Sequence, residues 1–196
     1  MIDIEAGETV GSEDDLRPNP AILIAGAAVV GLVSALSLPW PVAIASTLLG
    51  TLMVAGAEVD ARTFLLPNLM TWGAVVCGIL AAPLLNAAHP WTAAGEAIAR
   101  AGGVAAVLLL FRAGYAWRRQ IEGLGLGDIK LGAAIGAWLP LEAIPLCFGL
   151  ATSGALLMVM SARLRGEAVT RATKIPFGAF LCPALWIVFY AVSLTP

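Results

Sequence analysis

Apolar runs of membrane length, punctuated by prolines, constrain this chain more than any other feature. A helix that crosses a bilayer needs about 20 mostly apolar residues. Runs of that kind occur at 21–38, 42–57, 68–86, 94–112, 141–161 and 177–195, with a shorter one at 129–139. Pro39 and Pro41 break the first pair, and Pro90 separates the third run from the fourth. Hydrophobic residues make up 60% of the chain and charged residues only 12%, against roughly 45–50% and about 25% in soluble domains. The expected fold is an all-α polytopic membrane helix bundle of six or seven transmembrane segments. The count turns on 129–139, which at about 1.5 Å per residue is too short to cross alone. It either continues past Pro140 as a kinked helix, lies tilted, or dips into the bilayer.

The membrane domain spans residues 20–196. Ahead of it, residues 1–19 hold Asp3, Glu5, Glu8, Glu13, Asp14 and Asp15 among Gly7, Gly11, Ser12 and Pro18. This composition predicts a solvated, disordered tail. It has no positive n-region and no apolar core, so it does not read as a signal peptide. Small residues let membrane helices approach, and Gly26, Gly31, Gly102, Gly103, Gly132, Gly136, Gly149 and Gly154 are expected to serve that purpose.

Cations set the orientation through the positive-inside rule. With the N-terminus in the cytoplasm, ten of the eleven Lys and Arg residues fall on the cytoplasmic side and only Arg100 opposite. The same count puts the segments around Asp60 and Asp128 on one cytoplasmic face. Nothing suggests a nucleic-acid partner, because no basic patch with interleaved aromatics occurs. Cys77, Cys147 and Cys182 lie singly in apolar stretches and read as small buried side chains. His89 sits in a loop before Pro90 without partners. No metal or other cofactor is therefore expected.

Ionisable groups near bilayer depth are costly and mark functional sites. Asp60 stands in Glu58-Val59-Asp60-Ala61-Arg62, and Asp128 in Glu122-Gly123-Leu124-Gly125-Leu126-Gly127-Asp128-Ile129-Lys130. Two adjacent carboxyls cannot easily both ionise, so one is left to take a proton from water while the other donates to a carbonyl. Gly125 and Gly127 would admit a substrate strand without a Cβ in the way. Against this stands a plainer reading: Asp60 solvated at a helix end, and Asp128 as the N-cap of a helix starting at Ile129. A proton-coupled small transporter or scaffold using the same acids is the competing function. Carriers often show internal repeats, and no convincing repeat occurs here.

Residues from about 20 to the end resemble the type IV prepilin leader peptidases, polytopic aspartyl proteases of the G-x-G-D kind. Three separated segments carry the resemblance: Asp60 with Leu66-Pro67-Asn68; Glu122 leading into Gly125, Gly127, Asp128 and Lys130; and Lys174-Ile175-Pro176-Phe177-Gly178-Ala179-Phe180-Leu181. Presenilin-type proteases also use G-x-G-D but pair it with tyrosine-aspartate, whereas Val59 precedes Asp60 here. The resemblance implies an aspartic endopeptidase of the bacterial inner membrane, cutting prepilins or type II secretion pseudopilins after a glycine at the cytoplasmic face. It makes Asp60 and Asp128 the catalytic pair. Pro67, Asn68, Glu122, Gly125, Gly127 and Lys130 become supporting or substrate-binding residues, Lys130 by tuning Asp128 or holding substrate. Arg62 is expected to pair with Glu58 or Asp60.

Two departures stand out. The family's bifunctional members carry a cytoplasmic domain after the first span, often with paired C-x-x-C motifs. Here only Pro39-Trp40-Pro41 joins the first two spans, which implies peptidase activity without N-methylation. Ala179 replaces the second proline of the family's last motif, a change expected to alter local shape more than chemistry. The oligomeric state is left open by the sequence.

Overall fold

The computed structural model describes residues 17–119, 125–166 and 175–195. Among these, seven α-helices and one 3-10 turn are formed and no strand occurs: α1 (Pro20–Ser37), α2 (Trp40–Thr63), α3 (Asn68–Leu85), α4 (Pro90–Arg119), α5 (Leu126–Trp138), the turn Leu141–Ala143, α6 (Ile144–Leu164) and α7 (Phe177–Leu194). Six of the helices are long and apolar enough to cross a membrane, α5 being the exception. The chain is thus a multi-pass membrane protein. Its outward faces carry apolar side chains such as Ile24, Leu36, Leu69, Leu84 and Leu110, as lipid-facing helices should. Residues 1–16 of the expected acidic tail lie outside the described residues. Pro18 and Asn19 lead directly into α1, which Asn19 caps by accepting the Ala21 N–H.

The short fifth segment finds its explanation in packing. α5 has 13 residues, about 20 Å of helix. Ile129, Leu131, Ala134, Ile135, Ala137 and Trp138 are all buried, and the main neighbours of the helix are α3 and α4. A helix sheathed by other helices does not have to match the thickness of the lipid. Trp138 reaches its end deep in the bundle, where its indole N–H donates to the Ala74 carbonyl at 2.8 Å and its ring meets Phe189 edge-on. The chain then turns at Pro140 and the 3-10 turn into α6.

Glycine fulfils the expected packing role at some positions only. A Cβ at Gly136 would stand 2.5 Å from the Arg100 carbonyl oxygen, so α4 and α5 touch backbone to backbone. Gly132 likewise abuts Leu108, Gly26 abuts Val54, and Gly154 abuts Phe180. Gly102, Gly103 and Gly149 have nothing within 4 Å, and close approach does not account for them.

α2 also runs further than its apolar pattern suggests. The expected segment ends at 57, yet the helix continues to Thr63 and takes Glu58, Asp60 and Arg62 with it. Arg62 holds Glu58 one turn back, with Nε–Oε1 at 2.6 Å, a spacing that supports a helix. Buried polar contacts join α2 to its neighbours: Ser34 to Ser46 at 2.8 Å, and Trp186 to Ser46 at 3.1 Å. Hydroxyls and indole N–H groups in an apolar interior need such partners. The result is a frame in which the end of α2 and the starts of α3, α5 and α7 meet on one face.

Candidate active site

Asp60 lies in the last turn of α2 and is only 4% exposed. Its partner is the start of another helix. The first N–H groups of any helix lack intrahelical acceptors, and Pro176, at the N-cap of α7, offers no side-chain acceptor. Asp60 takes that place from across the bundle: Oδ2 accepts the Ala179 N–H at 2.7 Å, with the Gly178 amide beside it also favouring the charged form. The positive end of the α7 dipole favours an anion there. A proline has no N–H to give, and at this position the alanine amide is a direct ligand of Asp60.

Asp128 also sits at a helix start, its own. α5 begins at Leu126 with Gly125 as N-cap, three residues ahead of the Ile129 start expected for an N-cap aspartate. Asp128 is instead the third helical residue, with its carboxyl turned back toward the Gly125 backbone, whose amide favours the charged form. Burial raises its pKa from the ordinary 3.8 to about 6, helped by the negative charge of Asp60 nearby and opposed by the Gly125 amide. Both acids line one cavity of about 280 Å³, walled by Phe64, Leu65, Leu66, Leu126 and Pro176.

Leu66 fills the space that three glycines leave. A Cβ at Gly178 would come within 2.6 Å of Leu66 Cδ1 and 2.9 Å of the Asp60 carboxyl carbon. One at Gly127 would stand 3.0 Å from Leu66 Cβ, and one at Gly56 3.6 Å from its Cδ2. The chain reaches Leu66 because α2 stops abruptly at Phe64, which turns left-handed (φ 56°) and returns its N–H to the Asp60 carbonyl at 2.9 Å. Pro67 then sets the entry to α3.

Asn68, the first residue of α3, accepts a hydrogen bond from Lys130 Nζ at 2.5 Å, tying the first motif to the second. Arg62 takes Glu58 and the Arg17 carbonyl as its partners, and Glu58 also accepts the Asn19 N–H at 3.3 Å. Glu122 and Lys174 lie outside the described residues. Asp60, Asp128, Gly125 and Gly127 meet at the cavity, while Pro67, Asn68 and Lys130 are not among the residues that line it. Two carboxyls that line one cavity and feel each other's charge are the pair of groups that general base and general acid chemistry on a water requires.

Comparison with known proteins supplies the family. The profile of the type IV leader peptidase family matches residues 47–160, more than half of the chain. The chain is 32% identical over 151 residues to "Prepilin leader peptidase/N-methyltransferase" of Aeromonas hydrophila, covering 74% of this chain and 48% of that protein. To the protein of the same name from Burkholderia pseudomallei it is 32% identical over 165 residues, covering 83% and 51%. To "Leader peptidase HopD" of Salmonella typhimurium it is 36% identical over 143 residues, covering 68% and 83%. The chain thus spans about half the length of the bifunctional relatives and most of the shorter one. No solved structure matches it significantly. With its acids on α2 and α5 and a profile match that takes in both, the chain belongs to the type IV leader peptidase family.

Proposed function

We propose that this chain is a membrane aspartic endopeptidase that removes the leader peptide from type IV prepilins or type II secretion pseudopilins. The observation that carries the reading is the meeting of Asp60 and Asp128 in one cavity, Asp60 bonded to the first turn of α7 and Asp128 in the first turn of α5. The dyad holds one proton. Its ionised member takes a proton from water as the water oxygen attacks the scissile carbonyl carbon, and its protonated member gives a proton to the carbonyl oxygen. Collapse of the tetrahedral intermediate breaks the C–N bond, and the departing nitrogen takes up a proton to leave as an amine. The raised pKa of Asp128 suits it to hold the dyad's proton at higher pH than an ordinary carboxylate would.

The site faces the cytoplasm in this reading, with the N-terminus on the same side of the inner membrane. Arg62, Arg118, Arg119, Lys130 and Arg163 belong to helix ends on that face, in keeping with the positive-inside rule. The relatives' names include N-methyltransferase. Between α1 and α2 this chain has only Leu38 and Pro39, so no domain is inserted there, and cleavage without methylation is the activity we assign.

Cleavage of a co-expressed prepilin, read as a mobility shift, tests the function. Asp60→Asn and Asp128→Asn should each abolish cleavage while the protein still accumulates in the membrane. Near-normal processing by either variant would remove the dyad. Sidedness is tested by an Arg62→Cys variant, which should react with a membrane-impermeant thiol reagent only when the cytoplasmic face is open.

A further inference from the structure

Phe64 is the only non-glycine residue among those described with a positive φ, at 56°. That conformation is an outlier for a bulky side chain. At the residue that ends a helix in this way glycine is the usual choice, because it lacks the Cβ that makes the left-handed region unfavourable. Strain held at a cavity wall is a reason to ask what the side chain does there. Phe64 lies four residues beyond Asp60, lines the cavity of the two acids, and is 47% exposed. Leu65, Leu126 and Ile175 line the same cavity and are exposed to a similar degree. The acids thus open through an apolar mouth built from the first, second and third motifs together.

We propose that Phe64 is a substrate-contacting residue, its ring forming the wall that binds an apolar side chain next to the scissile bond. This rests on the peptidase reading of Asp60 and Asp128. A peptide is the occupant that fits, because its carbonyl must reach the acids while its side chains meet the mouth. The left-handed turn places the ring at the mouth and, through the Phe64 N–H bond to the Asp60 carbonyl, holds it in register with the acid. A glycine or asparagine would take the turn more easily and leave the mouth without its aromatic wall.

The test pairs enzyme variants with two prepilins that differ in the residue following the scissile bond, leucine in one and serine in the other. Phe64→Gly and Phe64→Asn suit the backbone, so their thermal midpoints should equal or exceed that of the wild type. On the leucine substrate both should lose about tenfold in kcat/KM, mainly through KM, as expected for losing a partly buried aromatic contact. Phe64→Tyr should restore cleavage. On the serine substrate the same variants should lose several-fold less than on the leucine substrate, because the substrate no longer offers the apolar partner that the ring would bind. Equal loss on both substrates, no loss on the leucine substrate, or loss that follows a fall in thermal midpoint would each overturn the assignment. If the wild type cleaves neither prepilin, the peptidase reading itself fails and this inference goes with it.

Discussion

The amide of Ala179 donates a 2.7 Å hydrogen bond to Oδ2 of Asp60, joining two residues 119 positions apart in the chain. This bond places the negative end of a carboxylate on the positive end of α7. It also makes the first turn of α7 part of the candidate active site.

Ala179→Pro removes that donor with little harm to the helix, since proline is tolerated in the first turn, where backbone N–H groups have no intrahelical acceptor. A hydrogen bond to a charged acceptor contributes about 1.5–3 kcal/mol. The Gly178 amide remains to share the load. The acidic limb of the pH–rate profile should therefore move to higher pH by about one unit, with cleavage above neutrality little changed. A profile that keeps its shape and position would show that the bond does not act on the reacting acid.

Gly178→Ala acts on the same corner through volume. The new methyl would stand 2.9 Å from the Asp60 carboxyl carbon and 2.6 Å from Leu66 Cδ1, so the carboxyl group and the leucine must both give way. Displacement of a catalytic group by about 1 Å costs on the order of 100-fold. The expected outcome is a fall of that order in kcat for prepilin cleavage, with membrane accumulation retained. Trimming the neighbour in a Gly178→Ala, Leu66→Ala double variant should recover part of the loss if crowding is the cause.

Much of this arrangement could be read from the sequence, and the part that could not has physical reasons. Apolar runs announced the six long helices, because a lipid-facing helix is hydrophobic on every side. They could not announce the end of α2, since its last two turns, from Glu58 to Thr63, extend beyond the apolar run and are held by the Arg62–Glu58 pair. They also left α5 ambiguous, because a helix buried by other helices is freed from the length that lipid imposes. Asp60 and Asp128 were conspicuous as isolated acids with motif neighbours. Their surroundings were hidden, because the partners of Asp60 are main-chain amides of α7, and any non-proline residue supplies such an amide. Leu66, in the same way, looks like one more apolar residue until Gly56, Gly127 and Gly178 converge on it.

Lys130 and Asn68 should behave as a coupled pair. Their 2.5 Å contact bridges the first turns of α5 to the start of α3. Asn68→Ala and Lys130→Ala should each destabilise by about 1 kcal/mol, as expected for a single solvent-accessible hydrogen bond. The double variant should cost no more than one of them, giving a coupling of similar size. Thermal unfolding of the four proteins in one detergent measures it. Full additivity would mean that Lys130 spends its time elsewhere, for instance on substrate.

Asp128 should make the protein less stable as the solution becomes less acidic. Its pKa is 3.8 when unperturbed and about 6 in the fold, so folding favours the protonated form. That contribution is complete below about pH 4 and disappears as the pH rises through about 6. The difference corresponds to at most about 3 kcal/mol, less the screening by solvent that reaches this half-buried group. Asp128→Asn cannot ionise, so it should lose all cleavage yet unfold at a higher temperature than the wild type at pH 8. At pH 4 the two midpoints should converge. Thermal unfolding in detergent across this range, beside a cleavage assay at each pH, checks both halves. A gap in midpoint that stays constant from pH 4 to pH 8 would show that the asparagine acts through packing and not through the charge.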